Sequence, residues 1–304
     1  MLHFLYNLFL VRKNVKKENG PQKWCYWYLY KFLKRALPFY YRNLSSRNLK
    51  TDSTSNIIVS LTSFPDRIPM VFIAIKSIML QTYKPQKVVL WLGSNKFPNK
   101  ERDLPESLLQ LRKVGLEIFF VDDLKPHTKY YYAFKKYPNN LVVTIDDDWI
   151  YPISMLETVL IHHLKNPNCV IANRVREIGV SNGILTNYRS WDINKLNHSE
   201  PSTKLLATGV GGVLYQPFLF DEALYDITKI KRMALNADDI WLKANEMISH
   251  IPVVFTNRYF SSFIEIPNSQ SNSLYMSNVF EAQNDMQIAN TFSFFGITAK
   301  SFNS

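Results

Sequence analysis

The feature that most constrains this chain is the rhythm between Asn56 and Asp148. Ile57-Ile58-Val59-Ser60-Leu61-Thr62 is a continuous apolar run of strand length, and β-rich runs follow at Lys87–Leu92, Leu116–Val121 and Leu141–Ile145. Segments with helical spacing separate them: Val71–Gln81, Leu104–Val114 with Gly115 placed to cap it, and Lys129–Lys136, stopped by Pro138. Strands apolar along their whole length need cover on both faces, and intervening helices supply it. The pattern predicts an α/β domain with a central, mostly parallel sheet. In open sheets of this kind ligands sit beyond the carboxyl ends of the strands. Ser63, the Asp122-Asp123 pair and the run Asp146-Asp147-Asp148 all follow strands, so the rule gathers them on one edge.

Beyond Asp148 the signal weakens. Ile153–Leu164 reads as a helix, Cys169–Ala172 and Gly211–Tyr215 as short β runs, and Ile240–Ser249 as a helix. The last 45 residues, rich in Ser and Asn, yield no assignment.

Charge divides the chain differently. Residues 1–50 hold eleven Lys and Arg against one acid, Glu18, and so carry +10 of the net +11. They also hold 12 of the 43 aromatic residues, interleaved with Lys over Trp24–Phe32. The near-neutral remainder gives no reason to expect nucleic-acid binding. Residues 1–50 read as a basic, aromatic helical appendage, joined by a polar linker over Ser45–Asn56. Met1–Val11 is apolar but shorter than the roughly 20 residues a bilayer span needs, and it lacks the charged start and cleavage site of a secretory signal. Two cysteines, Cys25 and Cys169, form no CxxC pair and no disulfide framework, which fits a reducing compartment and argues against structural zinc.

Three constellations carry chemistry. Adjacent carboxylates at Asp146, Asp147 and Asp148 repel one another, and a divalent cation relieves that repulsion. Hard oxygen ligands suit Mg²⁺ or Mn²⁺, which also bind substrate phosphates. A solvated acidic turn, or a cap for the helix near Ile153, is the bland alternative. Asp238-Asp239 precedes Ile240-Trp241 at a helix start, where a carboxylate can cap the helix or take a proton from a hydroxyl. Thr208–Tyr215 places three of the nine glycines within Gly209–Gly212, which allows close backbone approach or a tight hairpin. It is neither a P-loop nor a dinucleotide fingerprint. Arg67, Lys129, Arg174 and Arg176 are candidate diphosphate contacts. Six histidines show no zinc-hydrolase spacing, and no GxSxG elbow is present.

Together Val59–Ile68, Ser77-Ile78, Gln81-Thr82, Lys87–Leu92, Thr128-Lys129, Thr144–Asp148, Thr208–Tyr215 and Ala237–Trp241 resemble the GT-A glycosyltransferases of bacterial polysaccharide gene clusters, distantly those of family 2. The resemblance implies a single GT-A-type catalytic domain over 56–304. Its nucleotide-binding part would span 56–150 and its acceptor part 151–260, with a tail to 304. It implies a nucleotide-sugar donor, a UDP-sugar above all, and a saccharide or lipid-linked acceptor. By this likeness Thr62, Ser63, Arg67, Lys129, Asp146 and Asp147 lie about the nucleotide and diphosphate. Asp148 and Asp146 hold Mn²⁺ or Mg²⁺, while Gly211, Gly212 and Trp241 line the acceptor side. Asp239 takes the place of the family's base, with Asp238 beside it where the family has Glu. The QxxRW motif of processive synthases is absent. A metal-dependent nucleotidyltransferase and a non-catalytic membrane-binding module remain the rival readings. The basic aromatic N-terminus suggests an anionic membrane surface as partner, hence a cytoplasmic protein peripheral to the inner face of the membrane.

Overall fold

The computed structural model describes residues 1–12, 20–193, 200–259, 261, 263–267 and 283–302. Part of the basic segment and part of the Ser- and Asn-rich tail lie outside the described residues. Two N-terminal helices, α1 (Leu2–Val11) and α2 (Pro21–Asn43), precede β1 (Ile57–Ser63), α3 (Ile68–Met79), β2 (Lys87–Gly93) and the short α4 (Glu106–Leu109). Then follow β3 (Leu116–Val121), α5 (Thr128–Lys136), β4 (Leu141–Thr144), β5 (Trp149–Ile150) and α6 (Met155–Lys165). The second half holds β6 (Val170–Ala172), β7 (Val175–Glu177), β8 (Val180–Ser181), β9 (Ile184–Leu185), β10 (Asp192–Ile193), β11 (Leu205–Ala207) and β12 (Val213–Tyr215). It closes with α7 (Ile227–Met233), α8 (Asp238–Ile248), β13 (Val253–Phe255), β14 (Ile264–Glu265) and α9 (Gln283–Phe294).

A seven-stranded sheet in the order β13-β6-β12-β4-β1-β2-β3 forms the centre. β1 runs parallel to both β2 and β4, and β2 parallel to β3. β12 is antiparallel to β4 and β6. The mixed α/β architecture with a mostly parallel sheet is therefore as the apolar runs predict. The chain leaves β1 toward β2 and β3, then returns to place β4 on the other side of β1. That reversal opens a crevice between β1 and β4 at their carboxyl ends, where Ser63 and the three aspartates emerge. Gly115 ends the helical turns after α4 at φ +110, the left-handed geometry that glycine adopts without penalty.

The helical N-terminal segment packs on the domain as a layer: Tyr6, Phe9, Leu10, Leu33, Leu37 and Tyr41 are buried in the same core cluster as Ile57, Val59 and Leu61 of β1. The joining segment is also held in place, with Asp52 N–H bonded to Pro85 O at 2.9 Å and Leu49 buried. The reason lies in α2, which carries apolar and aromatic side chains on two faces, one of which covers the domain.

Tyr6 fastens this layer. Its hydroxyl donates to Ile150 O at 2.5 Å and accepts from Ile264 N–H at 3.0 Å, so it joins the paired strands β5 and β14. Tyr6→Phe removes both bonds and leaves a buried N–H and C=O unsatisfied. We expect a loss of about 1–3 kcal/mol in urea-unfolding stability.

Candidate active site

The crevice opens into a cleft of about 680 Å³, within the range of small-molecule sites. Its walls are acidic and basic in nearly equal number. Thr62, Ser63, Arg67, Lys129, the three aspartates and Asp238-Asp239 all line it.

The aspartate turn after β4 is locked through its backbone. Asp146 N–H donates to the Tyr151 hydroxyl at 2.9 Å, that hydroxyl donates to Asp146 O at 3.2 Å, and Ile266 N–H donates to Asp148 O at 2.8 Å. The side chains then part. Asp147 is buried, accepting from Ser63 Oγ and from Arg67 Nη1, each at 2.5 Å. Arg67 Nη1 also lies 2.9 Å from Asp148 Oδ2. Burial opposes the guanidinium charge, yet Asp147, Asp148 and Asp146 hold the Arg67 pKa above its ordinary value. Burial pushes the Asp147 carboxyl up against the pull of Arg67.

Lys129, at the start of α5, connects the two acidic motifs. Its ammonium lies 2.7 Å from Asp146 Oδ1 and 3.1 Å from Asp238 Oδ2, with the side chain 7% exposed. Burial opposes its charge, and the two carboxylates more than offset that, raising its pKa. His127 reinforces the tie. Fully buried, it bonds Tyr130 Oη at 3.0 Å and Ala234 O at 2.7 Å, which holds the turn leading into α8. Burial lowers the His127 pKa.

Asp239 stands next to this bridge. Its Oδ1 accepts from Ile240 N–H at 2.9 Å. Withdrawal from water and the neighbouring Asp238 charge push its pKa up to about 7, while Lys129 and Arg176 pull the other way. A carboxylate titrating near neutrality can accept a proton from a poor nucleophile. Tyr188 and Arg176 lie on the same side, with the Arg176 guanidinium 4.5 Å from the Tyr188 ring centroid. Arg176 also donates to Trp191 O at 3.2 Å. Sequence reasoning missed Tyr188, Glu265 and Asn284, which line the cleft from short or unpatterned segments. Lys96 pairs with Asp123 at 2.8 Å on the far wall.

The acceptor-side residues require correction. Trp241 is fully buried, donates from Nε1 to Leu224 O at 2.9 Å and packs in the core, so it does not line the cleft. Gly211 and Gly212 do not line it either. A Cβ on Gly211 would meet Arg174 N at 2.8 Å, and one on Gly212, at φ +80, would meet Met155 Sδ at 2.9 Å. Their role is close packing. Gly209 is the glycine at the site: a Cβ there would lie 2.8 Å from Lys129 Nζ and 2.9 Å from Asp146 Oδ1.

As for a divalent ion, Asp146 and Asp148 offer hard oxygen donors to the cleft. Among the described residues no group of three or more His, Cys, Asp or Glu side chains is arranged to hold a metal by itself. The donor set fits an ion that takes one or two protein carboxylates and completes its shell with water and substrate phosphate, the habit of Mg²⁺.

Removing the bridge tests the site's electrostatics. Lys129→Met leaves Asp146 and Asp238 facing each other without their cation. We expect roughly 3–5 kcal/mol lower stability at neutral pH by chemical denaturation. Lowering the pH protonates the carboxylates and recovers part of the loss.

No protein-family model matches the chain, and neither does any curated protein. Solved structures do match over much of its length. One is the mannosyltransferase PcManGT from Pyrobaculum calidifontis in complex with GDP-Man and Mn²⁺. It has a TM-score of 0.49 and 11% identity over 97% of this chain and 75% of that one. Another is S. aureus TarS 1-349, with a TM-score of 0.43 and 15% identity over 78% of this chain and 72% of that one. The same TarS fragment in complex with UDP-GlcNAc matches with a TM-score of 0.41 and 12% identity over 78% and 73%. At these scores the likeness is general, and the functional reading rests on the geometry of the cleft.

Proposed function

We propose that this chain is a glycosyltransferase of GT-A type that moves a sugar from a nucleoside-diphosphate sugar to a hydroxyl of a saccharide or lipid-linked acceptor. The observation that carries the reading is the Lys129 bridge. It brings the aspartates at the carboxyl end of β4 and the Asp238-Asp239 pair at the start of α8 into one cleft. One motif suits a diphosphate with its counter-ion, and the other supplies a carboxylate that titrates near neutrality.

In this reading Thr62, Ser63, Arg67 and Lys129 organise the donor side. Thr62 Oγ1 donates to Trp91 O at 2.9 Å, which ties the carboxyl end of β1 to β2. Arg67 holds Asp147 and Asp148 in place. Mn²⁺ or Mg²⁺ bound by Asp146 and Asp148 would offset charge on the diphosphate. Asp239 takes the proton of the acceptor hydroxyl as that oxygen bonds to the anomeric carbon. The bond from that carbon to the diphosphate oxygen breaks, its electron pair leaves with the nucleoside diphosphate, and the configuration inverts. Asp238, engaged by Lys129, tunes Asp239. Arg174, Arg176 and Tyr188 line the same cleft, where the two cations are available to the diphosphate. Synthesis of surface polysaccharide, with a UDP-sugar as donor, is the role consistent with the motifs.

The deciding experiment is a screen of the purified chain against a panel of nucleotide sugars. Release of nucleoside diphosphate that depends on acceptor supports the reading. Release of pyrophosphate marks a nucleotidyltransferase instead. Metal dependence has a separate readout: EDTA should abolish turnover, Mn²⁺ or Mg²⁺ should restore it, and Asp148→Ala should stay folded yet lose nearly all activity. Full activity in excess EDTA overturns the metal assignment.

The pH profile tests the base. Asp239 must be ionised to accept a proton, so kcat should rise as pH increases through about 7, the value its surroundings impose. Asp239→Asn should retain donor binding and lose about 10²–10⁴-fold in kcat. Asp238→Asn removes a neighbouring negative charge and should move the acidic limb to lower pH with a smaller loss. Wild-type turnover by Asp239→Asn sinks the assignment.

A further inference from the structure

Packing one face of α2 against the domain leaves another face uncovered. Trp24, Trp27, Tyr28, Phe32 and Phe39 are 41–71% exposed. With the exposed Lys31 and Arg35 they recur at steps of three and four, which places them on one side of the helix. Leu33, Leu37 and Tyr41, on the opposite side, are buried. α1 adds Phe4 at 69% and Leu8 at 48% exposed. Seven of the sixteen large hydrophobic side chains exposed among the described residues thus belong to these two helices. Isolated exposed apolar residues are ordinary, but a stripe of large aromatics rimmed by cations marks an interaction surface.

We propose that this face of α1 and α2 docks on an anionic lipid bilayer. Two observations select that partner. Trp and Tyr combine an apolar ring with a polar edge and favour the water–hydrocarbon boundary. The charge is complementary: residues 1–50 carry eleven Lys and Arg against one acid. Lys31 Nζ sits 3.6 Å from the Trp27 ring centroid, so cation and ring occupy the same patch. No helix among the described residues is long and apolar enough to cross a membrane, so the contact is one of helices lying in the interface.

The attachment of the layer gives the docking a direction. Tyr6 holds α1 to β5 and β14, immediately after the aspartate turn. Lys34 of α2 lies 3.5 Å from Glu265, which lines the cleft. A bilayer on the exposed face therefore meets a rigid unit whose cleft rim is part of the same assembly.

The test is co-sedimentation of the full chain with phosphatidylcholine vesicles and with vesicles that also contain phosphatidylglycerol. Truncation is unsuitable, because the layer shares the core, so the variants are substitutions of exposed residues. The parent should bind the mixed vesicles and release as salt rises. Its tryptophan emission should shift to shorter wavelength on binding. Lys31→Glu with Arg35→Glu should weaken binding by more than about tenfold, at about fivefold for each cation lost. Trp24→Ser with Phe32→Ser should weaken it similarly, whereas Phe218→Ser, exposed elsewhere, should not. Unchanged melting temperatures keep the comparison valid. Absence of binding to mixed vesicles, or aromatic variants that sediment like the parent, overturns the proposal. So does a concentration-dependent dimer in gel filtration that the aromatic substitutions abolish while vesicle binding persists, which assigns the face to a second copy. The assay needs neither donor nor acceptor, so its outcome is separate from that of the proposed activity.

Discussion

A single buried ammonium organises the site. Asp146 leaves the sheet at the end of β4, and Asp238 opens α8 much later in the chain. Two carboxylates drawn from separate parts of a fold repel each other as they leave water, and the repulsion grows as the surroundings become less polar. Lys129 removes it by lying within 2.7 and 3.1 Å of the two. The arrangement depends on Gly209, since a side chain there would overlap the ammonium and the Asp146 carboxylate. It also depends on α5 beginning beside β1, where Ser60 Oγ donates to Lys129 O at 2.5 Å and receives Trp91 Nε1–H at 2.9 Å. Much of the centre of the molecule thus serves to put one charge in one place.

The same logic separates the roles of adjacent residues. Arg67 takes Asp147 and Asp148, and Lys129 takes Asp146 and Asp238, while Asp239 stands beside an occupied neighbour. Its raised pKa is a consequence of that position: burial disfavours its charge, and the Asp238 carboxylate adds to the effect. Of the two adjacent aspartates, only Asp238 pairs directly with the lysine. The N-terminal layer joins the same framework through Tyr6, so helices rich in surface aromatics are connected by hydrogen bonds to the strand that follows the aspartate turn.

Much of the first half of the domain was legible in advance. β1 to β4 are apolar over most of their length, a local property that the parallel sheet exploits directly, and their carboxyl ends identify Ser63, Arg67 and Asp146–Asp148 as neighbours. The second half was less readable. Its strands β5 to β11 are only two or three residues long, too short for any period to register, and they carry Arg176 and the turn that places Tyr188. Trp241 follows Asp239 closely, yet helical rotation turns it into the core, where its N–H finds Leu224 O. Gly211 and Gly212 attract attention as glycines, but only a three-dimensional neighbour shows that Gly209 faces the cleft.

The amino-acid sequence by itself determined the α/β rhythm, the acidic cluster at a strand end, and the concentration of charge and aromatic residues near the N-terminus. These are properties of adjacent residues and of spacing along one element. Tertiary structure alone decided which carboxylate received which cation, which glycine the site needed, and which face of α2 was covered. Each of those depends on groups distant in the chain meeting where water is excluded, and there a few ångströms determine the sign and size of the interaction.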